Sequence, residues 1–186
     1  MALLLNEFED LCISTPDAEL DQPLSYLQKE RLRQIKICDF YLKSEVFNAL
    51  CEGEVKDWIM FLDLFLSVQF PLHIQDEQEC LFPLLFKGTA AQEKKIGETI
   101  RYICKEHKFD KGLTEFVMED LSTLKKGRAL VNPLRLELNL TTLLKGLSNH
   151  AHWELESFLP LVEEKLDKAD LEKMAARMRE TRAQLQ

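Results

Sequence analysis

Turn-forming residues are scarce: 6 Gly and 6 Pro among 186 residues leave little room for long loops. A basic surplus is also missing. The net charge of -8 and a pI near 5.1 speak against nucleic acid, because neutralising phosphates takes a basic surface. The one basic cluster, Lys173, Arg177, Arg179 and Arg182, is diluted by Glu172 and Glu180 and reads as a solvated helix face. Five cysteines (Cys12, Cys38, Cys51, Cys80, Cys104) are odd in number and lack CxxC spacing. A disulfide framework and a zinc thiolate site are thereby disfavoured, and a reducing cytoplasm is the expected setting. The opening Met-Ala-Leu-Leu-Leu has no basic flank, and Asn6, Glu7, Glu9 and Asp10 follow at once. It is read as neither a signal peptide nor a membrane span, but as a short amphipathic helix or a frayed end. There is no Gly-rich phosphate loop, and Ser25, Ser67 and Ser157 have no His–Asp constellation in evident reach, so no enzyme activity is expected.

What the chain does have is long amphipathic runs. Hydrophobic content of 46% and charge of 30% fit one domain with a sizeable core. Residues 1–21 read as an N-terminal helix and a turn-rich linker, and residues 22–186 as an all-α domain. The first long helix starts near Leu24 and carries Leu27, Leu32, Ile35, Ile37, Cys38, Phe40, Tyr41 and Leu42. The piece from Ser44 to Glu54 reads as its loose end, or as a short helix closed by Gly53. The second helix runs from about Val55 to Leu85, rich in Phe and with Trp58 as a core residue; Pro71 should kink it unless it is already distorted there. Thr89 caps a third helix that ends at Lys126-Gly127, with Ile96, Ile100, Ile103, Cys104, Phe109, Leu113, Phe116, Val117 and Leu121 on one broad face. Asn132-Pro133 opens a fourth helix reaching about Lys165, and Asp167 or Asp170 starts a last, charged one. Four long helices with short connections predict an antiparallel up-down bundle, with extra short helices at both ends.

One pattern occurs twice. In Pro71–Leu85, His73 is followed by Glu77 and then by Leu81-Phe82-Pro83; in His150–Val162, His150 is followed by Glu154 and then by Phe158-Leu159-Pro160. On a helix, residues four apart share a face, so each copy aims an imidazole and a carboxylate the same way. A single such pair is usually a surface contact worth a few tenths of a kcal/mol. Position along the helices adds weight. His73 lies roughly 14 residues before the turn at Gly88, His107 roughly 19 after it, and His150 about 18 beyond the cap at Asn132. In an antiparallel bundle all three reach one height, which would assemble nitrogen and carboxylate ligands suited to a transition metal. His152 and Glu156 also form an i,i+4 pair, but they point about 200° round the helix. Cys80, beside the first motif, reads as a small core residue. Trp153 is expected to pack on a neighbouring helix and screen the pocket.

These motifs resemble the hemerythrin-like, or HHE cation-binding, domain. The likeness lies in HxxxE followed by Leu-Phe-Pro, the pair Glu106-His107, and a second HxxxE followed by Leu-Pro. It extends to Pro23–Gln34, similar to the family's first helix, and to Asp170–Arg179, similar to its trailing helix, and so covers roughly residues 22–182. The resemblance implies a four-helix bundle around a non-haem di-iron centre, with two carboxylates bridging and His completing the shells, and one iron or two in this chain. His73, Glu77, His107, His150 and Glu154 would then be the metal ligands.

The first helix departs from the family pattern, because the expected Glu-His is Glu30-Arg31. Arg cannot ligate a metal, since its guanidinium stays protonated and offers no lone pair. Two placements follow. Arg31 swings away, and five ligands with water hold one iron firmly and a second weakly or not at all; or Arg31 enters the pocket and pairs with Glu77 and Glu154 in place of the metal. The first makes the chain an iron protein that binds or senses a small ligand, such as dioxygen or nitric oxide, or iron itself. The second makes it a metal-free helical module for partner binding or for a homodimer, with the apolar residues of Leu3 to Leu11 as one contact surface.

Overall fold

The structure is a computed structural model and describes residues 17–43, 49 and 56–184. The expected N-terminal helix, the segment from Ser44 to Glu54 apart from Ala49, Cys12 and Cys51 lie outside the described residues.

The helix ends follow from local chemistry. After the 3-10 turn Asp17–Asp21, helix α1 spans Pro23–Lys43, with proline at its first position. Helix α2 is the rod Lys56–Leu84. Helix α3, Ala90–Lys125, starts at a capping box: the Thr89 hydroxyl accepts from the Gln92 N–H, and the Gln92 side chain accepts from the Thr89 N–H at 2.9 Å. It stops at Gly127, whose φ of +67° most side chains avoid. Helix α4 comprises Pro133–Trp153, a π segment Glu154–Phe158 and Leu159–Lys165, and the Asn132 side chain caps it. Helix α5, Lys168–Ala183, is capped reciprocally by Asp167 and Asp170. The fold is all-α, and there is no strand among the described residues.

Each internal proline sits just after a π turn. Phe65–Gln69 precedes Pro71, Asp76–Leu81 precedes Pro83, and Glu154–Phe158 precedes Pro160. A proline ring strikes the carbonyl four residues back and supplies no N–H, and the wider turn relieves both problems. Helix α2 is thus distorted ahead of Pro71. Pro83 also leaves the Glu79 carbonyl without its helical donor, and Arg177 of α5 donates to it at 3.0 Å.

Cross-helix contacts give the running directions. Arg31 meets Glu154 while Gln34, further along α1, donates to the earlier Leu147 carbonyl of α4. The same reversal relates α3 to α4 (Glu106 to His150, Asp120 to Arg135), α2 to α3 (Glu77 to His107, Asp63 to Lys125) and α1 to α2 (Arg31 to Glu77, Tyr41 to Trp58). These four rods are compatible with an antiparallel bundle.

The interior has two apolar halves and a polar layer between them. One half holds Tyr41, Trp58, Phe65, Phe70, Leu121 and Leu144; the other holds Leu27, Leu81, Leu85, Ile103, Phe158 and Met178. Burying each large side chain is worth roughly 1.5–3 kcal/mol, and together they fix the rods against one another. Between the halves, every rod turns a buried charged or imidazole side chain inward: Glu30 and Arg31 on α1, His73 and Glu77 on α2, His107 on α3, and His150 and Glu154 on α4. Helix α2 is long and apolar enough to cross a membrane by length and composition, with mean hydropathy 1.2; here Trp58, Phe61, Phe65 and Phe70 are buried in the core.

Three expectations need correction. Phe109 and Phe116 do not join the core face of α3: the core-facing stripe is His107, Asp110, Thr114, Val117 and Leu121, and the two phenylalanines are exposed. Leu32 is 51% exposed, because α1 turns Arg31 and Gln34 inward to the polar layer instead. The basic cluster of α5 is not wholly solvated. Arg182 grips buried Asp76 through both carboxylate oxygens, at 2.9 and 2.7 Å, donates to the Tyr26 hydroxyl at 3.1 Å, and lies 5.1 Å from that ring's centre. That clamp ties α5 to α2 and α1 one residue before Glu77.

Candidate metal centre

The five residues singled out from the repeated motif and helix heights come together. His73, Glu77, His107, His150 and Glu154 each offer one ligand atom, and these atoms lie within 4.8 Å of one another. A first-row ion with ligands at about 2.0–2.2 Å spans roughly twice that distance between opposite donors, so the group could hold a metal ion. All five side chains are buried, whereas His152 and Glu156 are exposed, as their position round the helix requires.

Arg31 takes the second of its two placements. Fully buried, it donates Nε to Glu154 Oε2, Nη1 to Glu30 Oε2 and Nη2 to Glu77 Oε1. A rigid guanidinium fork on three carboxylates is a charge-assisted arrangement that a lysine could not reproduce. Arg31 uses only one oxygen of each helix-α2 and helix-α4 carboxylate. Glu77 Oε2 lies 3.4 Å from His107 Nε2, and Glu154 Oε1 lies 3.0 Å from His150 Nε2. Neither contact has hydrogen-bond geometry. Those four atoms and both ring nitrogens of His73 have no hydrogen-bond partner among the described residues. Buried polar atoms are nearly always satisfied, and this convergent set is compatible with a metal ion held among them.

Second contacts orient the rings. His150 Nδ1 faces Glu106 Oε2 at 2.8 Å, which directs Nε2 into the cluster. His107 Nδ1 lies 3.4 Å from Gln78 Nε2, and His73 Nδ1 lies 3.7 Å from Glu30 Oε1. Trp153 packs edge-on to Tyr102 of α3 and stacks on Phe158, beside Glu154.

The electrostatics show an imbalance. Three buried carboxylates, Glu30, Glu77 and Glu154, surround one guanidinium, a shortfall of two positive charges. The ion-free protein answers it by protonation. Burial, and then the neighbouring Glu154 carboxylate, push Glu77 well above the usual carboxylate range. Burial alone would lower His150, but Glu154 and Glu106 outweigh it and raise the imidazole to about 9. Burial opposes ionisation of Glu154 and Glu30 too, yet Arg31 holds both low. Burial drives His107 down to about 2 and, aided by Arg31, lowers His73, so both rings stay neutral with lone pairs available.

Sequence reasoning gave no role in this site to four residues that have one. Glu30 is the third carboxylate on Arg31, Glu106 orients His150, and Asp76 with Arg182 clamps the turn that carries Glu77. Glu30 and Arg31 are consecutive yet both buried, which no amphipathic stripe anticipates. No protein-family model, curated protein or solved structure matches this chain.

Proposed function

We propose that this chain is a hemerythrin-like four-helix bundle that binds a single non-haem metal ion, iron by the resemblance of its motifs, rather than none. Arg31, although it enters the pocket, replaces only one of two ions. The observation that carries the reading is the division of the two carboxylates. Each gives one oxygen to Arg31 and turns the other toward the imidazoles. A carboxylate that bridges two ions divides its oxygens in the same way, so the guanidinium stands where one ion would. The residual set, His73, His107, His150, Glu77 and Glu154, is three nitrogens and two oxygens, suited to iron and its neighbours rather than to calcium or magnesium. A divalent ion would also supply the two positive charges that the carboxylates lack.

An ion held by His73, Glu77, His107, His150 and Glu154 would supply the chemistry of reversible binding of a small ligand such as dioxygen or nitric oxide. The protein's part is to hold the donors buried and, through Arg31, to limit the site to one ion. The function supported best is therefore small-ligand binding or sensing, or the sensing of iron itself. Elemental analysis of protein purified from iron-supplemented cells, with anaerobic ferrous titration and the visible and EPR spectra on adding nitric oxide, tests it. About one iron per chain and a nitrosyl signal are expected. A colourless protein that takes up no ferrous iron leaves Arg31 in place of the metal and makes the chain a metal-free module; two irons in the parent protein reject the substitution by Arg31.

A further inference from the structure

We infer that the outer face of α3 is a homodimer interface, on which a second copy of this chain lies antiparallel across Gly112. The face is Lys105, Lys108, Phe109, Gly112, Glu115, Phe116 and Glu119, the i, i+3, i+4, i+7 pattern of a helix stripe turned to solvent. Phe109 is 61% exposed and Phe116 53%, although the buried stripe of the same helix has the opposite phase. Exposed phenylalanines one heptad apart are not explained by the core of their own chain. Between them lies a groove of about 450 Å³ lined by Lys105, Lys108, Phe109, Gly112, Leu113 and Phe116. Gly112 forms its floor. A Cβ built there meets nothing within 4 Å, so no packing among the described residues demands glycine at the middle of a 36-residue helix. Glycine there weakens the helix, but it lets another backbone approach closely.

The charges single out a second copy as the occupant. Lys105, Lys108 and Lys111 precede Gly112, and Glu115 and Glu119 follow it. A two-fold axis through Gly112 makes residues equidistant from it face each other. Lys105 then meets Glu119 of its partner, Phe109 lies beside the partner's Glu115, and Phe116 covers the partner's Lys108 stem and the glycine groove. Lys108 and Glu115 flank the same crossing. A parallel arrangement would set lysines against lysines, so the face is complementary to its own reverse, as an isologous interface requires. No ion pair of Lys105, Lys108, Lys111 or Glu115 occurs among the described residues, while Glu119 lies at the rim, 3.2 Å from Arg135. Chains of net charge -8 repel one another, and only a locally matched face overcomes that.

Sedimentation velocity on the full chain over a range of concentrations reads the assembly, with two charge-reversed variants, K105E/K108E and E115K/E119K. All four positions are exposed, so both variants should fold, and circular dichroism checks this. The parent should be a dimer. Each variant alone should dissociate about tenfold or more readily, and an equimolar mixture of the two should recover dimer, since every reversed pair is then opposite in sign. A parent that stays monomeric overturns the inference, and so does a dimer indifferent to both variants. Crosslinks joining Lys105 or Lys108 to Glu7, Glu9 or Asp10 within one monomer would give the face to the N-terminal segment instead and overturn it as well.

Discussion

Arg31 and His150 address opposite oxygens of one carboxylate: the guanidinium Nε donates to Glu154 Oε2, while His150 Nε2 stands 3.0 Å from Glu154 Oε1. Glu77 repeats the arrangement with Arg31 on Oε1 and His107 on Oε2. The polar layer is therefore two half-sites sharing two carboxylates, one filled by a side-chain cation and one lined by imidazoles. Stoichiometry, charge and proton uptake all follow from that division.

Replacing Arg31 separates its two roles. Arg31→His removes the permanent cation and adds a fourth imidazole, so ferrous titration should rise from about one equivalent per chain to about two. Arg31→Met removes the cation and adds no ligand. Leaving buried carboxylates unpaired costs on the order of 3–5 kcal/mol, and the metal-free variant should lose that much in urea unfolding. Added divalent metal should return part of it, because an ion that binds only the folded state stabilises it.

The two carboxylates, alike in geometry, should respond differently to neutralisation. Glu77 is already biased toward its protonated form by burial and by Glu154, whereas Arg31 and His150 hold Glu154 ionised. In the metal-free protein Glu77→Gln should change stability by less than about 1 kcal/mol. Glu154→Gln removes an anion from a buried cation and should cost about 3 kcal/mol or more. Both should abolish tight metal binding. Chemical denaturation with and without metal reads the pair, and equal losses in the metal-free protein would contradict the assigned charge states.

Much of this layer was legible in the sequence. The repeated HxxxE before a proline, and the distances of His73, His107 and His150 from their turns, placed five donors at one height, and the caps at Thr89 and Asn132 set the register. Arg31 was legible as a misfit at that height. Which way it would point was not, because the outcome depends on Glu30, its own neighbour in sequence, turning inward beside it. The aromatic stripe of α3 was misjudged for a related reason. Phe109 and Phe116 are as apolar as any core residue, and hydrophobic periodicity cannot separate a helix with two apolar faces from one with a single broad face. Pro71 was legible as a distortion, and the π turn ahead of it is the form that the distortion takes.

Acidity gives a further test. His150 is raised to about 9 in the folded chain against about 6.5 unfolded. Its contribution to metal-free stability is fully present below about pH 6.5 and is lost as pH rises through 9. His107, lowered to about 2, acts in the other direction: its contribution is present above about pH 6.5 and is lost as pH falls below that value, where the unfolded chain binds the proton. Metal-free stability should therefore peak near pH 6.5 with respect to these two groups. Metal binding must expel the proton of His150, so the metal-induced rise in Tm should grow between about pH 6 and 9. Calorimetry near pH 7 in buffers of different ionisation enthalpy should report release of about one proton per ion from His150, with any from Glu77 adding to it.

Glu106 touches no candidate ligand atom facing the cluster centre, yet it fixes the direction of one. Its Oε2 holds His150 Nδ1 at 2.8 Å and its Oε1 accepts from the Tyr102 hydroxyl at 2.7 Å. Losing the partner of a ligating histidine typically costs 10–100-fold in metal affinity. Glu106→Ala should lower affinity by about that factor and leave the stoichiometry unchanged. Glu106 is also one of the carboxylates that raise His150. The same change should therefore move the imidazole titration, followed by NMR, toward lower pH. A purely structural role would weaken metal binding in step with folding stability and leave that titration in place, so the two readouts together decide whether Glu106 positions the ring.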